Sequence, residues 1–126
     1  NSTNKGGGSY YLLDEIKEIR SLCLKHNLKL HLDGARLFNV LVETKESTLE
    51  IGAQFDSISI CLSKGLGAPL GSVLVGEEGF IEVAKRARKR CGGGMRQVGV
   101  VAAMAMYAVQ NNVERLAEDH ARAQKV

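Results

Sequence analysis

The chain has 126 residues, 44% of them hydrophobic and 25% charged, a balance that suits one folded domain with its own core and excludes a disordered segment. Its net charge of +3 comes mostly from the run Lys85-Arg86-Ala87-Arg88-Lys89-Arg90, which could meet nucleic-acid or membrane phosphates but is read first as a solvated helix face. With 5% aromatic residues and no tryptophan, the stacking platforms of a single-stranded nucleic-acid binder are missing. Neither nucleic acid nor a membrane is therefore expected as a partner.

Cys23, Cys61 and Cys91 are odd in number and form no CxxC pair. A disulfide framework and a zinc knuckle are both disfavoured, no metal is expected, and a reducing, cytoplasmic compartment is the expectation. No N-terminal signal pattern is visible. The longest apolar stretch, Val98 to Val109, is too short and too rich in small residues to span a bilayer, and reads as a buried helix.

Asn1 to Ser9 is polar and glycine-rich and reads as a loop. Leu12, Leu13, Ile16, Ile19, Leu22 and Cys23 recur at helical spacing, which predicts an amphipathic helix from Tyr10 to His26 with Asn27 as its stop. Leu28 to Leu32 alternates as a strand does and ends on Asp33-Gly34, a turn. A short helix follows from Ala35 to Val42, then another from Ser47 to Gly52 with Ser47 as its cap. Asp56 to Leu62 reads as a second strand and Leu70 to Val75 as a third. Glu77 to Arg90 reads as a helix that is basic toward its end, as the helix dipole favours. Gly92-Gly93-Gly94 breaks the chain before two further helices, Arg96 to Asn111 and Val113 to Lys125. The order argues for an α/β fold with a largely parallel sheet. No internal repeat and no internal domain boundary appear.

Three features carry chemistry. Asp33 and Lys64 each fall just beyond the carboxyl end of a predicted strand, the edge at which open α/β sheets bind ligands. Side by side they would offer an aldehyde cofactor an amine for condensation and a carboxylate to keep a pyridine nitrogen protonated. The same spacing also suits a plain Asp–Lys ion pair. Lys64 lies in the loop Ser63 to Ser72 with Gly65, Gly67, Gly71 and the only proline, Pro69. Such a loop lets backbone approach a ligand closely, but neither GxxxxGK[ST] nor GxGxxG is present, which argues against a nucleotide. Gly92-Gly93-Gly94-Met95-Arg96-Gln97 precedes a predicted helix and suits either an anion site or a tight turn with a solvated arginine.

Together these segments resemble a known family. His31-Leu32-Asp33-Gly34-Ala35-Arg36-Leu37-Phe38-Asn39 is similar to the HLDGAR segment of low-specificity L-threonine aldolases and the related aromatic amino acid β-eliminating lyases, fold type I enzymes that use pyridoxal 5′-phosphate. Ser63 to Pro69 looks like their cofactor-lysine loop. Arg88-Lys89 through Gly92-Gly93-Gly94-Met95-Arg96-Gln97 resembles their next motif, and Glu118-Asp119-His120 their following helix. Asn1 to Gly8 resembles their asparagine- and glycine-rich loop, with Thr3 where the family usually has histidine.

The resemblance implies the large domain of the aspartate aminotransferase superfamily, with residues 1–126 as its central part. The family's N-terminal segment, with a stacking histidine and a phosphate loop, and its C-terminal small domain would lie outside this chain. It implies Lys64 as the Schiff-base lysine, Asp33 on the pyridinium nitrogen and Ala35 against the ring. Arg36 would lie near the cofactor hydroxyl and the substrate carboxylate, and Ser63 beside the Schiff base. Lys89 and Arg96 would serve the phosphate, from a neighbouring subunit of a homodimer or homotetramer. His31 would orient Asp33, or be a satisfied core histidine.

The implied reaction cleaves L-threonine, L-allo-threonine and other β-hydroxy-α-amino acids to glycine and an aldehyde, in threonine catabolism and glycine formation. β-Elimination from a cysteine- or tryptophan-like substrate stays open beside it. The alternative is an inactive, truncated remnant that serves only as a folding or subunit-interaction module.

Overall fold

A computed structural model describes residues 5–126; Asn1 to Asn4, and with them Thr3 and the start of the opening loop, lie outside the described residues. Helix α1 (Leu13–Lys25) is amphipathic and buries Ile16. Its first turn carries Asp14 and Glu15, and Glu15 Oε2 accepts the otherwise orphaned N–H of Leu12 at 2.7 Å. It ends where the sequence predicts. Asn27 takes a left-handed conformation (φ 52°), and the Leu28 N–H returns to the carbonyl of Cys23 at 2.8 Å. That is a Schellman closure with asparagine in the place usually taken by glycine.

Strand β1 (His31–Gly34) pairs in parallel with β2 (Ser57–Cys61), Asp33 opposite Ser59, and β2 pairs antiparallel with β3 (Ser72–Gly76). The class is α/β as expected, but one of the two pairings is antiparallel. The reason is the short connection Leu62–Gly71: a parallel return needs a crossover of about a dozen residues or more. β1 is also displaced from the expected Leu28–Leu32. Leu30 still bonds to Asp56, whose N–H donates to its carbonyl at 2.9 Å, but before it the neighbouring segment is the turn in which Gln54 and Phe55 donate to Ile51 and Gly52, so the ladder stops. Asp33 and Gly34 instead pair with Ser59 and Ile60, which draws them into the strand.

Gly34 is required at that point. A Cβ there would stand 2.9 Å from the backbone oxygen of Ser59. Just before β2, Asp56 ties the sheet to α1: its carboxylate accepts from the Leu30 N–H (2.8 Å), Arg20 (2.6 Å) and Lys29 (3.0 Å). The backbone bond foremost, then the two cations, hold this carboxyl well below the usual carboxylate range.

Helix α2 (Leu37–Thr44) buries Leu37, Val40 and Leu41, and α3 (Thr48–Gly52) is capped by Ser47, whose Oγ accepts from Leu49 N at 3.2 Å. Helix α4 (Glu78–Arg90) carries the basic run and leaves it exposed, as read from the sequence. Helices α5 (Gly99–Asn112) and α6 (Leu116–Ala123) complete the chain. Although α5 reads as buried, it buries only Ala105 and Ala108, and Val100, Met104, Met106 and Tyr107 are exposed.

Two apolar clusters hold these elements. One joins Ile16, Leu32, Leu37, Leu41, Ile51 and Ile58; the other joins Leu62, Leu66 and Ala68 to Ala105, Ala108 and Leu116. Phe38 and Ile60 pack against both. The second cluster therefore forms around the loop that carries Lys64.

Candidate active site

The site is built at the carboxyl ends of β1 and β2. Because side chains alternate along a strand, Leu32 and Gly34 turn into the core while His31 and Asp33 share the opposite, exposed face. Asp33 is thus the third of four strand residues, not a turn residue beyond the strand end as the sequence suggested. Its carboxylate accepts the N–H of Ala35 at 3.2 Å, which fixes the step from β1 into α2.

Lys64 lies past the end of β2 in a loop tied down on both sides. The Leu62 N–H donates to Gly71 O (3.0 Å), the Ala68 N–H to Leu62 O (3.0 Å) and the Gly67 N–H to Lys64 O (2.9 Å). Leu62, Leu66 and Ala68 are buried, whereas Ser63, Lys64 and Gly65 are exposed. Anchors on both sides with a free apex present an amine on a fixed backbone.

Five of the residues singled out from the sequence meet in one cavity of about 840 Å³: His31, Asp33, Ala35, Arg36 and Lys64. Since β1 and β2 are neighbours, the carboxylate and the amine face the same space. Arg36 enters from the cap of α2. His31 reaches across the ladder, its Nδ1 lying 2.8 Å from Oγ of Ser57, the residue opposite it in register. A carboxylate, an amine and a guanidinium around one opening suit a small anionic ligand with a carbonyl carbon.

Other residues are placed elsewhere. Ser63 sits beside Lys64 but is not among the cavity's lining residues, and neither are Lys89 and Arg96. Lys89 is in the last turn of α4. Gly92-Gly93-Gly94 does not open a helix: Gly92 (φ 82°) closes α4, with its own N–H on Lys89 O (3.1 Å) and the Gly93 N–H on Arg88 O (2.8 Å). Those amides are spent on a second Schellman closure, and α5 begins only at Gly99. Arg96 is exposed in the segment between.

The opposite wall was not foreseen. Tyr10 and Tyr11, just before α1, and Glu15, Ile16 and Ile19 on it line the cavity. The only signal for them was the amphipathic face of that helix, which reads equally well as pure core. Among the described residues no group of histidine, cysteine and acidic side chains could hold a metal ion. No described helix is long and apolar enough to cross a membrane.

A family model described as beta-eliminating lyase matches residues 1–126. The chain belongs to the beta-eliminating lyase family. Within this family it is similar to low-specificity L-threonine aldolase 1 of Arabidopsis thaliana, 44% identical over 98% of this chain and 34% of the relative. It is likewise similar to the low specificity L-threonine aldolase of Escherichia coli K12, 49% identical over 93% of this chain and 35% of the relative. In structure it matches a protein assigned as an L-allo-threonine aldolase from Listeria monocytogenes EGD-E, with a TM-score of 0.82 and 32% identity over 88% of this chain and 31% of that one. The chain thus spans about a third of the length of the curated relatives it matches. The resemblance read from the HLDGAR, lysine-loop and GGGMRQ segments agrees with this family, and the α/β fold with its solved members.

Proposed function

We propose that this chain is the cofactor-lysine part of a pyridoxal 5′-phosphate-dependent lyase that cleaves L-threonine and L-allo-threonine to glycine and an aldehyde. The observation that carries the proposal is the meeting of Lys64, Asp33 and Arg36 around one cavity at the ends of two adjacent parallel strands. The donor set fits the cofactor: an exposed amine on an anchored loop, a carboxylate on the facing strand, and the small side chain of Ala35 between Asp33 and Arg36. Lys64 would hold the cofactor through its amine, and Asp33 would keep a proton on the ring nitrogen. Ala35 would leave room for the ring, and Arg36 would bind the substrate carboxylate or the cofactor hydroxyl.

When bound, pyridoxal 5′-phosphate supplies the sink for the electron pair left on Cα as the Cα–Cβ bond breaks. The protein's own share is charge and orientation. The negative charge of Asp33 favours the protonated ring, and Arg36, fixed at the start of α2, holds the amino acid in one pose. Lys89 and Arg96, exposed and away from the cavity, would serve the phosphate of a neighbouring copy in a homodimer or homotetramer, with Ser63 supporting Lys64 from within the loop. Threonine breakdown and glycine formation would be the metabolic outcome.

The test is glycine release from L-threonine by the purified, full-length protein supplied with the cofactor. Turnover that disappears in Lys64→Ala and falls at least a hundredfold in Asp33→Ala supports the proposal. Turnover that survives Lys64→Ala defeats it. A folded protein that neither turns over nor takes up cofactor would be a folding or subunit-interaction module, the reading that the exposed apolar side chains of α5 favour.

A further inference from the structure

Three polar residues that the proposed reaction does not use are linked in a row behind the lysine loop. Glu43 Oε2 lies 3.2 Å from Nδ1 of His120, and Nε2 of His120 lies 3.2 Å from Nδ2 of Asn39. The row joins α2 to α6, elements far apart in sequence. A carboxylate can only accept, so Glu43 places the imidazole proton on Nδ1. The Nε2 lone pair then accepts from the amide of Asn39, which turns the Oδ1 of Asn39 the other way.

The Asn39 amide packs against the lysine loop, its Oδ1 slightly nearer than its Nδ2. A Cβ added at Gly65, the residue after Lys64, would stand 3.3 Å from Asn39 Oδ1 and 2.8 Å from Cδ2 of Leu116. One residue further along, the loop is gripped again, Asn112 Nδ2 donating to Leu66 O at 2.8 Å. Asn39 is also one helical turn past Arg36, to whose carbonyl its N–H donates at 3.1 Å. One helix start therefore carries both the guanidinium of the cavity and an amide packed against the residue after Lys64.

We propose that Glu43, His120 and Asn39 form a positioning relay that sets the backbone at Lys64-Gly65, and with it the reach of the lysine amine into the cavity. The relay rests on the assignment of Lys64 as the cofactor lysine. None of the three touches the reacting atoms. Their effect on the amine is indirect, through the orientation of one amide that a tautomer decides and a carboxylate enforces.

The test compares the parent protein with Asn39→Ala, His120→Ala and His120→Gln, the last keeping one donor and one acceptor. Two quantities are read in each: the rate at which pyridoxal 5′-phosphate becomes fixed to Lys64 under borohydride, and hydrogen exchange at the amides of Gly67 and Ala68. Both alanine variants are expected to slow attachment roughly fivefold, the factor that losing one hydrogen bond carries. They should also speed exchange at Gly67 and Ala68 while leaving the β1–β2 amides protected as in the parent, and His120→Gln should recover most of both. Attachment within twofold of the parent in Asn39→Ala overturns the relay, as does exchange that rises equally across β1 and β2. A parent that never couples at Lys64 sinks the cofactor assignment instead, and the exchange pattern alone then decides for or against the relay.

Discussion

Gly34→Ala is the substitution that best separates this arrangement from a generic α/β edge. Gly34 follows Asp33 directly and lies opposite Ile60 in the ladder that leads to Lys64. A methyl there would meet the Ser59 backbone oxygen at 2.9 Å, Leu37 Cβ at 3.3 Å and Ile58 Cγ2 at 3.4 Å. The oxygen belongs to the ladder and cannot swing aside as a side-chain tip can, so β1 must move from β2 by a few tenths of an ångström. Overpacking of this kind costs about 1–3 kcal/mol. The smaller conformational freedom of alanine in the unfolded chain returns about 0.4–1 kcal/mol. The net loss is about 1–2 kcal/mol, about 4–8 °C in melting temperature for a domain of this size.

Gly79 supplies the control. It lies in α4 with nothing within 4 Å of an added Cβ, so Gly79→Ala is expected to gain about 0.5–1 kcal/mol. Melting followed by circular dichroism reads both variants, and borohydride-trapped coupling of the cofactor at Lys64 reads the site. Gly34→Ala should slow coupling because it displaces Asp33 against the amine. Two variants with equal melting temperatures, or a stabilised Gly34→Ala, would refute the close approach of the strands.

Asp56 makes stability depend on acid. Its carboxyl is held below its ordinary value, so the unfolded chain binds the proton more readily and stability falls as pH drops below about 4. In urea titrations from pH 7 to 2, Asp56→Asn should be less stable than the parent at neutral pH, with the gap closing in acid; a gap constant with pH would contradict the triple contact. Leu116, 1% exposed, fills the second cluster against the lysine loop. Leu116→Ala should cost about 2–5 kcal/mol by chemical unfolding and loosen exchange at Gly67. A loss below about 1 kcal/mol would mean that the cluster does not hold the loop.

The helices were legible because their signals are local. The period of Leu12, Leu13, Ile16, Ile19 and Cys23 specifies α1, and Asn27 and Ser47 mark ends by chemistry that depends on neighbours a few residues away. The strands were harder. Leu28, Leu30 and Leu32 alternate well, yet β1 begins only where β2 offers a partner, and no local signal records that. The antiparallel return of β3 follows from the length of the connection, a clue present in the sequence but outweighed by the general order of elements. At Gly92-Gly93-Gly94 the glycines suit a helix start and a helix stop equally, and the stop prevailed because Gly92 and Gly93 give their N–H groups to the open carbonyls of Lys89 and Arg88. Asp33, Arg36 and Lys64 were found through strand ends and family resemblance. The Tyr10–Tyr11 wall and the row from Glu43 to Asn39 depend on contacts between distant segments, which no spacing along the chain encodes.

The central claim is that Lys64 is the amine that takes the cofactor, and its most direct test is the site of covalent attachment. The protein is incubated with pyridoxal 5′-phosphate, reduced with borohydride, digested and mapped by mass spectrometry. One modified peptide, carrying the adduct on Lys64 and absent from Lys64→Ala, is the expected result, with slower attachment in Asp33→Asn. An adduct spread over surface lysines such as Lys85 and Lys89, unchanged in amount by Lys64→Ala, would contradict the claim.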